Sequence, residues 1–361
     1  MREQKTSITK FPSPEASLEM TERAKVCTDR IAPRDEMRFQ PTTRASDRRV
    51  RAIAPIGKTW MNGTKLRVRF MGGSPAEQTK AREQAGWWTQ VANLQLEFGN
   101  APDAEIRIAF DPNDGAWSYI GTDCRGIPLN SPTMNLGFLD GGTAAHEFGH
   151  AIGLAHEHQN PAGGIQWKES IVIAEMAKSP NFWDAAKTRH NILTRYRADQ
   201  INGTVFDPNS IMLYFFPGTW TMSGIGTKAN EVLSSVDKQF IAGAKMYPKT
   251  GGTVSTATEL TVNAPRRTAA SIGKVGEEDL FRFSAATDGH YVIDTRGTTD
   301  VVMKLFGPNS ETALIAEDDD SGYAYNARIA ASLIAGDYYL QVRHYNRASG
   351  MGNYSVKVKK E

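Results

Sequence analysis

Eleven residues, His146-Glu147-Phe148-Gly149-His150-Ala151-Ile152-Gly153-Leu154-Ala155-His156, constrain this 361-residue chain more than any other stretch. A helix brings positions four apart onto one face, so His146 and His150 can approach a single ion. Glu147 then stands beside that ion rather than on it. Gly153 falls where the helix has to stop, because a residue without Cβ enters the left-handed conformation of a sharp exit cheaply. That turn can bring His156 back as a third ligand. Three neutral nitrogens leave the fourth tetrahedral position open, the pattern of a catalytic rather than a structural zinc site. A water there has its pKa lowered to about 7, and Glu147 can take its proton and deliver it to a leaving amine. The expectation is one catalytic Zn2+ on His146, His150 and His156, replaceable in vitro by cobalt or manganese.

From average residue usage, a bare His-Glu-x-x-His arises by chance in roughly one chain in a hundred of this length. Gly153 and His156 at fixed spacing lower that about a thousandfold, and four of the seven histidines lie between 146 and 158. The alternative is a solvated, histidine-rich helix.

The pattern resembles the metzincin zinc endopeptidases, and Glu157 directly after the third histidine makes it most similar to the astacin-type branch. Ser210-Ile211-Met212-Leu213-Tyr214 matches the methionine-bearing turn that lies under the metal in that family. The resemblance implies Met212 as the hydrophobic floor beneath the ligands. It places Tyr214 near the zinc, as an extra ligand at rest or as a hydrogen-bond donor to the oxyanion during attack. Taken singly, the same residues read as a core methionine and a buried ring. The chain departs from astacins in three ways. His158-Gln159-Asn160-Pro161 replaces the usual Gln-x-Arg, Leu213 stands where astacins have histidine, and the typical disulfides are missing. Glu157 is expected in a buried salt bridge or hydrogen bond, and His158 toward solvent or in a local hydrogen bond.

Around this motif the pattern is α+β. Leu66, Val68 and Phe70 alternate as a strand, and Ser74-Pro75-Ala76-Glu77 opens a helix with a capping box that runs to about Leu94. Ala104 to Phe110 reads as a second strand, with Ile106, Ile108 and Phe110 on one face. Ala116 to Gly121 reads as a loop, either rimming the cleft or covered by aromatic core residues. In the resembled fold the sheet ends in an edge strand above the cleft, where an extended substrate pairs by main-chain hydrogen bonds. Ser234-Ser235-Val236-Asp237 opens a last helix reaching Tyr247-Pro248.

The length favours two domains plus extensions, and 40% hydrophobic residues can bury a large core. A net charge of +2 does not point to nucleic acid. No apolar run approaches eighteen residues, so no membrane span is expected. The division reads as an N-terminal extension at 1–58, a metallopeptidase domain at 59–248, a small polar linker at 249–257 and an all-β sandwich domain at 258–361. The extension carries Arg44, Arg48, Arg49 and Arg51, and reads either as a propeptide cut near that cluster or as a loosely packed tail. Cys27 is a switch thiolate for the zinc, a disulfide partner of Cys124, or one of two unrelated thiols.

Beyond the linker, Leu280–Phe283, Tyr291–Asp294, Val301–Phe306, Tyr338–Arg343 and Tyr354–Val358 read as strands. With Gly276 to Phe283 and Ala335 to Leu340, this part resembles the bacterial pre-peptidase C-terminal domain. Such domains accompany secreted hydrolases and are removed on maturation or kept for surface binding. Glu317 to Gly322 concentrates oxygen ligands that could take Ca2+, though a solvated acidic turn fits the same residues. The first twelve residues lack an apolar core of signal-peptide length, which alone predicts the cytoplasm, while the family and the sandwich predict a secreted protein. The expected function is a monomeric zinc endopeptidase acting on proteins or peptides, with Glu147 as general acid/base and Tyr214 as transition-state stabiliser. The competing reading is an extracellular binding protein whose sandwich carries function on an inert zinc scaffold.

Overall fold

The computed structural model describes residues 28–30, 53–55, 57–178, 181–196, 201–203, 206–243, 246–249, 254–346 and 349–361. Cys27, the basic cluster at 44–51 and residues 250–253 of the polar linker lie outside the described residues.

The first layer is a six-stranded sheet of β1 (Thr28–Arg30), β3 (Lys65–Phe70), β4 (Gln95–Gly99), β5 (Ile106–Ala109), β6 (Ala116–Tyr119) and β7 (Met134–Leu136), while β2 (Ile53–Pro55) pairs elsewhere. Its order is β1-β6-β7-β5-β3-β4, with β6 antiparallel to β7 and the other pairs parallel. Leu66 and Val68 point into the main core with Ile106 and Ile108, as the alternation predicts.

The predicted capping box is present. Ser74 accepts from the Glu77 N–H, Glu77 reaches back to the Ser74 N–H, and Pro75 opens α1 (Pro75–Thr89). Ala81, Gln84, Ala85 and Trp88 are its buried face, at helical spacing. This helix stops at Thr89, five residues short of the expected Leu94. The Asn93 N–H goes instead to the Tyr247 carbonyl, and Gln95–Gly99 pairs with β3 as a strand. Ala116–Tyr119 likewise forms a strand rather than a loop, because β7 supplies a ladder for it.

The lower half contains α2 (Thr143–Ala151), α3 (Glu169–Met176), α4 (Ala185–Thr188), β8 (Ile201–Gly203), which pairs with β2, and α5 (Ser235–Ile241). The last helix ends at Ile241, well before the expected Tyr247, with the Ala242 N–H bonded to the Lys238 carbonyl. A second cluster of Val172, Met176, Trp183, Ile192, Phe216 and Trp220 fills this half.

All remaining strands belong to an all-β region. They are β9 (Thr258–Glu259), β10 (Thr268–Ile272), β11 (Glu278–Ala285), β12 (Gly289–Gly297), β13 (Val301–Phe306), β14 (Leu314–Asp318), β15 (Arg328–Leu333), β16 (Gly336–His344) and β17 (Gly352–Lys360). They form a four-stranded sheet, β10-β17-β12-β15, and a five-stranded sheet, β14-β13-β16-β11-β9, around a shared core. The five strands read from sequence are all there. The other four, β9, β10, β14 and β15, are the edge strands of the two sheets, short or with few buried positions, which leaves little periodic signal. No helix among the described residues is long and apolar enough to cross a membrane.

Candidate active site

A nine-residue helix is marginal on its own, and α2 is held at both ends by other elements. At its start the Gln84 Oε1 accepts from Ala145 N–H at 3.0 Å, and the Trp88 Nε1 donates to the Ala145 carbonyl at 2.7 Å. At its end the Trp60 Nε1 donates to the Ala151 carbonyl at 2.9 Å, and the Tyr247 hydroxyl to Ile152 at 2.6 Å. Gly153 then takes φ +105°, a region costly for any residue with a Cβ. Its N–H returns to the His150 carbonyl, and that of Leu154 to Gly149.

This exit does what the spacing predicts. His146, His150 and His156 are all buried, and their ligand atoms converge. The His146 Nδ1 lies 2.7 Å from the Ile211 carbonyl and the His150 Nδ1 2.8 Å from the Leu154 carbonyl. A carbonyl only accepts, so both Nδ1 atoms carry the hydrogen and both Nε2 atoms present lone pairs. The His150 Nε2 is 3.1 Å from those of His146 and His156. Two lone pairs at that distance repel unless a cation lies between them, and two nitrogens on one tetrahedral zinc stand roughly 3.3 Å apart. The donor set therefore fits zinc. Among the described residues these histidines are the one group of three side chains arranged to hold a metal.

The methionine turn is bound to this helix from below. Asp237, at the third position of α5, accepts from the Ser210 hydroxyl at 2.6 Å, from Ile211 N–H at 2.9 Å and from Ser234 N–H at 2.9 Å. The Ile211 carbonyl is thereby aimed at His146, and Glu157 N–H closes the far side onto the Met212 carbonyl at 2.9 Å. Met212 is buried in the core cluster as the resemblance implied. A Cβ on Gly149 would stand 2.4 Å from its sulfur, so the helix must carry glycine where the methionine passes. Burial pushes the Asp237 carboxyl above its usual range, and its three hydrogen bonds oppose that. The sequence showed Asp237 as a helix cap; its second role, as anchor of the methionine turn, has no local signature.

Tyr214 packs against two of the three ligand rings, 5.1 Å from His146 and 4.2 Å from His156 between centroids. Glu147 is fully buried on α2 beside His146. Glu157 is buried as expected, its Oε1 accepting from Asn160 Nδ2 at 3.0 Å and from Asp207 N–H at 2.8 Å. Burial pushes its carboxyl up to about 8. His158 departs from both expectations, being buried rather than toward solvent and bonded to a distant rather than a local partner. Its ring lies nearly parallel to that of His156 at 5.1 Å and its Nε2 donates to the Asn191 carbonyl, 33 positions on, at 2.9 Å.

Cys124 is a buried, unbridged thiol that burial pushes up to about 12. The acidic run is used internally: Asp318 accepts from the N–H groups of Ser321 and Arg328, and Glu317 pairs with Lys304 at 3.6 Å. A calcium role finds no support there.

The sequence model of the astacin peptidase family matches residues 53–238, just over half of the chain. The chain belongs to the astacin family. Astacins use a catalytic zinc, so this is a zinc endopeptidase acting on protein substrates. A solved structure of myroilysin is 35% identical with a TM-score of 0.52, covering 55% of this chain and 99% of that one. A crystal structure of myroilysin is 31% identical with a TM-score of 0.47, covering 66% and 98%. The C-terminal region matches the pre-peptidase C-terminal domain of a Bacillus anthracis collagenase at 19% identity and a TM-score of 0.25, covering 28% and 94%.

Proposed function

We propose that this astacin is a secreted, monomeric endopeptidase in which Glu147 moves the proton and residues 1–58 hold the enzyme latent. The observation that carries the catalytic part is the convergence of three Nε2 atoms, two of them fixed by carbonyls behind their rings. Zinc bound there supplies a Lewis acid that polarises a substrate carbonyl and brings the pKa of water to about 7. Glu147 takes the water's proton and returns it to the departing amine nitrogen. Glu147 is buried beside His146 on the same helix, next to the ligand set it has to serve. The Tyr214 hydroxyl donates to the oxygen that gains negative charge as the peptide carbonyl is attacked.

Latency is supported by β1. Thr28–Arg30 runs parallel along Trp117–Tyr119 of β6, which would otherwise be the edge of the sheet. An extended substrate pairing with that edge competes with the extension for the same N–H and C=O groups. Cys27 precedes β1 in sequence but lies outside the described residues, so its part is tested by Cys27→Ser in the full chain.

The test is cleavage of a quenched peptide library by the zinc-loaded full chain and by a form starting near Arg51. Cleavage by the shorter form and little by the full chain is the expected result. Equal activity of both removes the latent extension. No cleavage by either, with zinc bound, favours the reading in which the sandwich alone carries the function.

A further inference from the structure

The five-stranded sheet of the C-terminal region buries apolar residues on both of its faces, which a two-layer sandwich does not by itself provide. Phe281 and Phe283 on β11, Val301, Met303 and Leu305 on β13, and Leu340 and Val342 on β16 point inward to the shared core. Strand alternation sends Leu280, Val302 and Phe306 outward, where a sandwich normally meets water. All three are buried, at 6%, 4% and 4% exposure.

For Leu280 and Phe306, part of the cover is Met61 of the peptidase. Leu280 and Phe306 form one apolar cluster with Met61 and Val254. Polar contacts surround it: Thr312 Oγ1 donates to the buried Glu105 Oε1 at 2.9 Å, Lys65 N–H to the Glu311 carboxylate at 3.2 Å, and Val254 N–H to the Asn62 carbonyl at 3.2 Å. Glu105 is also the partner of Arg67, at 2.8 Å, so the sandwich completes an ion pair belonging to the catalytic sheet. The Arg125 guanidinium lies between two rings, 5.1 Å from that of Trp60 and 5.3 Å from that of Phe306. Burial pushes it down to about 10. Trp60 in turn holds the last carbonyl of α2 through its Nε1.

We propose that residues 254–361 are a permanently docked part of the working peptidase, seated through Leu280 and Phe306, and that they brace the C-terminal end of α2 through Arg125 and Trp60. Cutting the linker then does not release them.

The test is made on the full chain, with Gly251-Gly252 replaced by the recognition site of a sequence-specific protease. After cutting, both pieces are expected to elute from gel filtration as one species at micromolar concentration. Leu280→Ser with Phe306→Ser, both outside the sandwich core, is expected to separate the pieces after the same cut. The separated peptidase should lose zinc to a chelator at least tenfold faster than the uncut parent. A milder pair, Leu280→Ala with Thr312→Val, serves if the first does not fold. Separation of the cut parent, or continued association of the cut variants, overturns the docking; unchanged zinc loss overturns the bracing. Because the readouts are association and zinc retention, they stand whether or not Glu147 has the role proposed above.

Discussion

At position 149 the helix gives up its best-fitting residue for a close approach. An alanine there gains about 1 kcal/mol of helix propensity, but its Cβ would stand 2.4 Å from the Met212 sulfur and 3.1 Å from the Trp88 ring. Overpacking of that kind costs roughly 1–3 kcal/mol. Gly86 in α1 has nothing within 4 Å of the same Cβ position. Gly149→Ala should therefore lower the melting temperature and Gly86→Ala raise it, an opposition that thermal unfolding of the two variants reads directly. The ligands themselves were legible from spacing because a helix turn and a glycine exit are local geometry. The carbonyls of Ile211 and Leu154 that fix two of their rings were not, because a backbone acceptor carries no sequence signature. His158 was misplaced for a related reason: its partners Asn191, Trp167 and Phe216 are distant in sequence and are gathered by the second core cluster.

At the scale of elements, the site depends on two pieces docking against α2, the methionine turn below and β6 above. Asp237 uses two carboxylate oxygens to accept three hydrogen bonds, one from its own cap residue and two from the turn. Asp237→Asn leaves one accepting oxygen and turns an amide donor toward another donor. The expected cost is about 2–3 kcal/mol, with zinc lost more readily because the Ile211 carbonyl no longer holds its place behind His146. Chemical denaturation and chelator competition check both parts; unchanged values in both would remove Asp237 as the anchor. The strand β6 was hidden in the sequence because four residues with two aromatics give no usable alternation, and only pairing with β7 decides the matter. Arg107, on β5, was hidden likewise: its buried guanidinium donates to the carbonyls of Ala104, Ile127, Pro128 and Ser131, and so ties down the connection between β6 and β7.

Across the whole molecule, an astacin peptidase and an all-β region meet over a shared face, and their order along the chain was visible from the change in strand and turn pattern. Their contact was not, since it depends on outward residues of a sheet whose partner cannot be read from periodicity. Stability of the β region should carry its own pH dependence. Burial raises the Asp279 carboxyl from 3.8 to about 6, against the hydrogen bond from the Tyr354 hydroxyl. Between those values the folded form holds a proton that the unfolded form has released. The contribution is therefore full below about pH 4 and is lost as pH rises through 6. Asp279→Asn stays neutral throughout, so its melting temperature relative to the parent should rise between pH 4 and pH 7.5, by at least about 2 °C. A pH-independent difference would contradict the burial argument. The central claim is that Glu147 is the group that moves the proton at a site built by His146, His150 and His156. The measurement that tests it most directly is the turnover of a quenched peptide by the zinc-loaded form starting near Arg51 and by its Glu147→Ala variant, with bound zinc determined in both. The predicted result is a fall of about 10²–10⁴ in kcat at one zinc per chain in each; comparable turnover by the variant at equal zinc would contradict it.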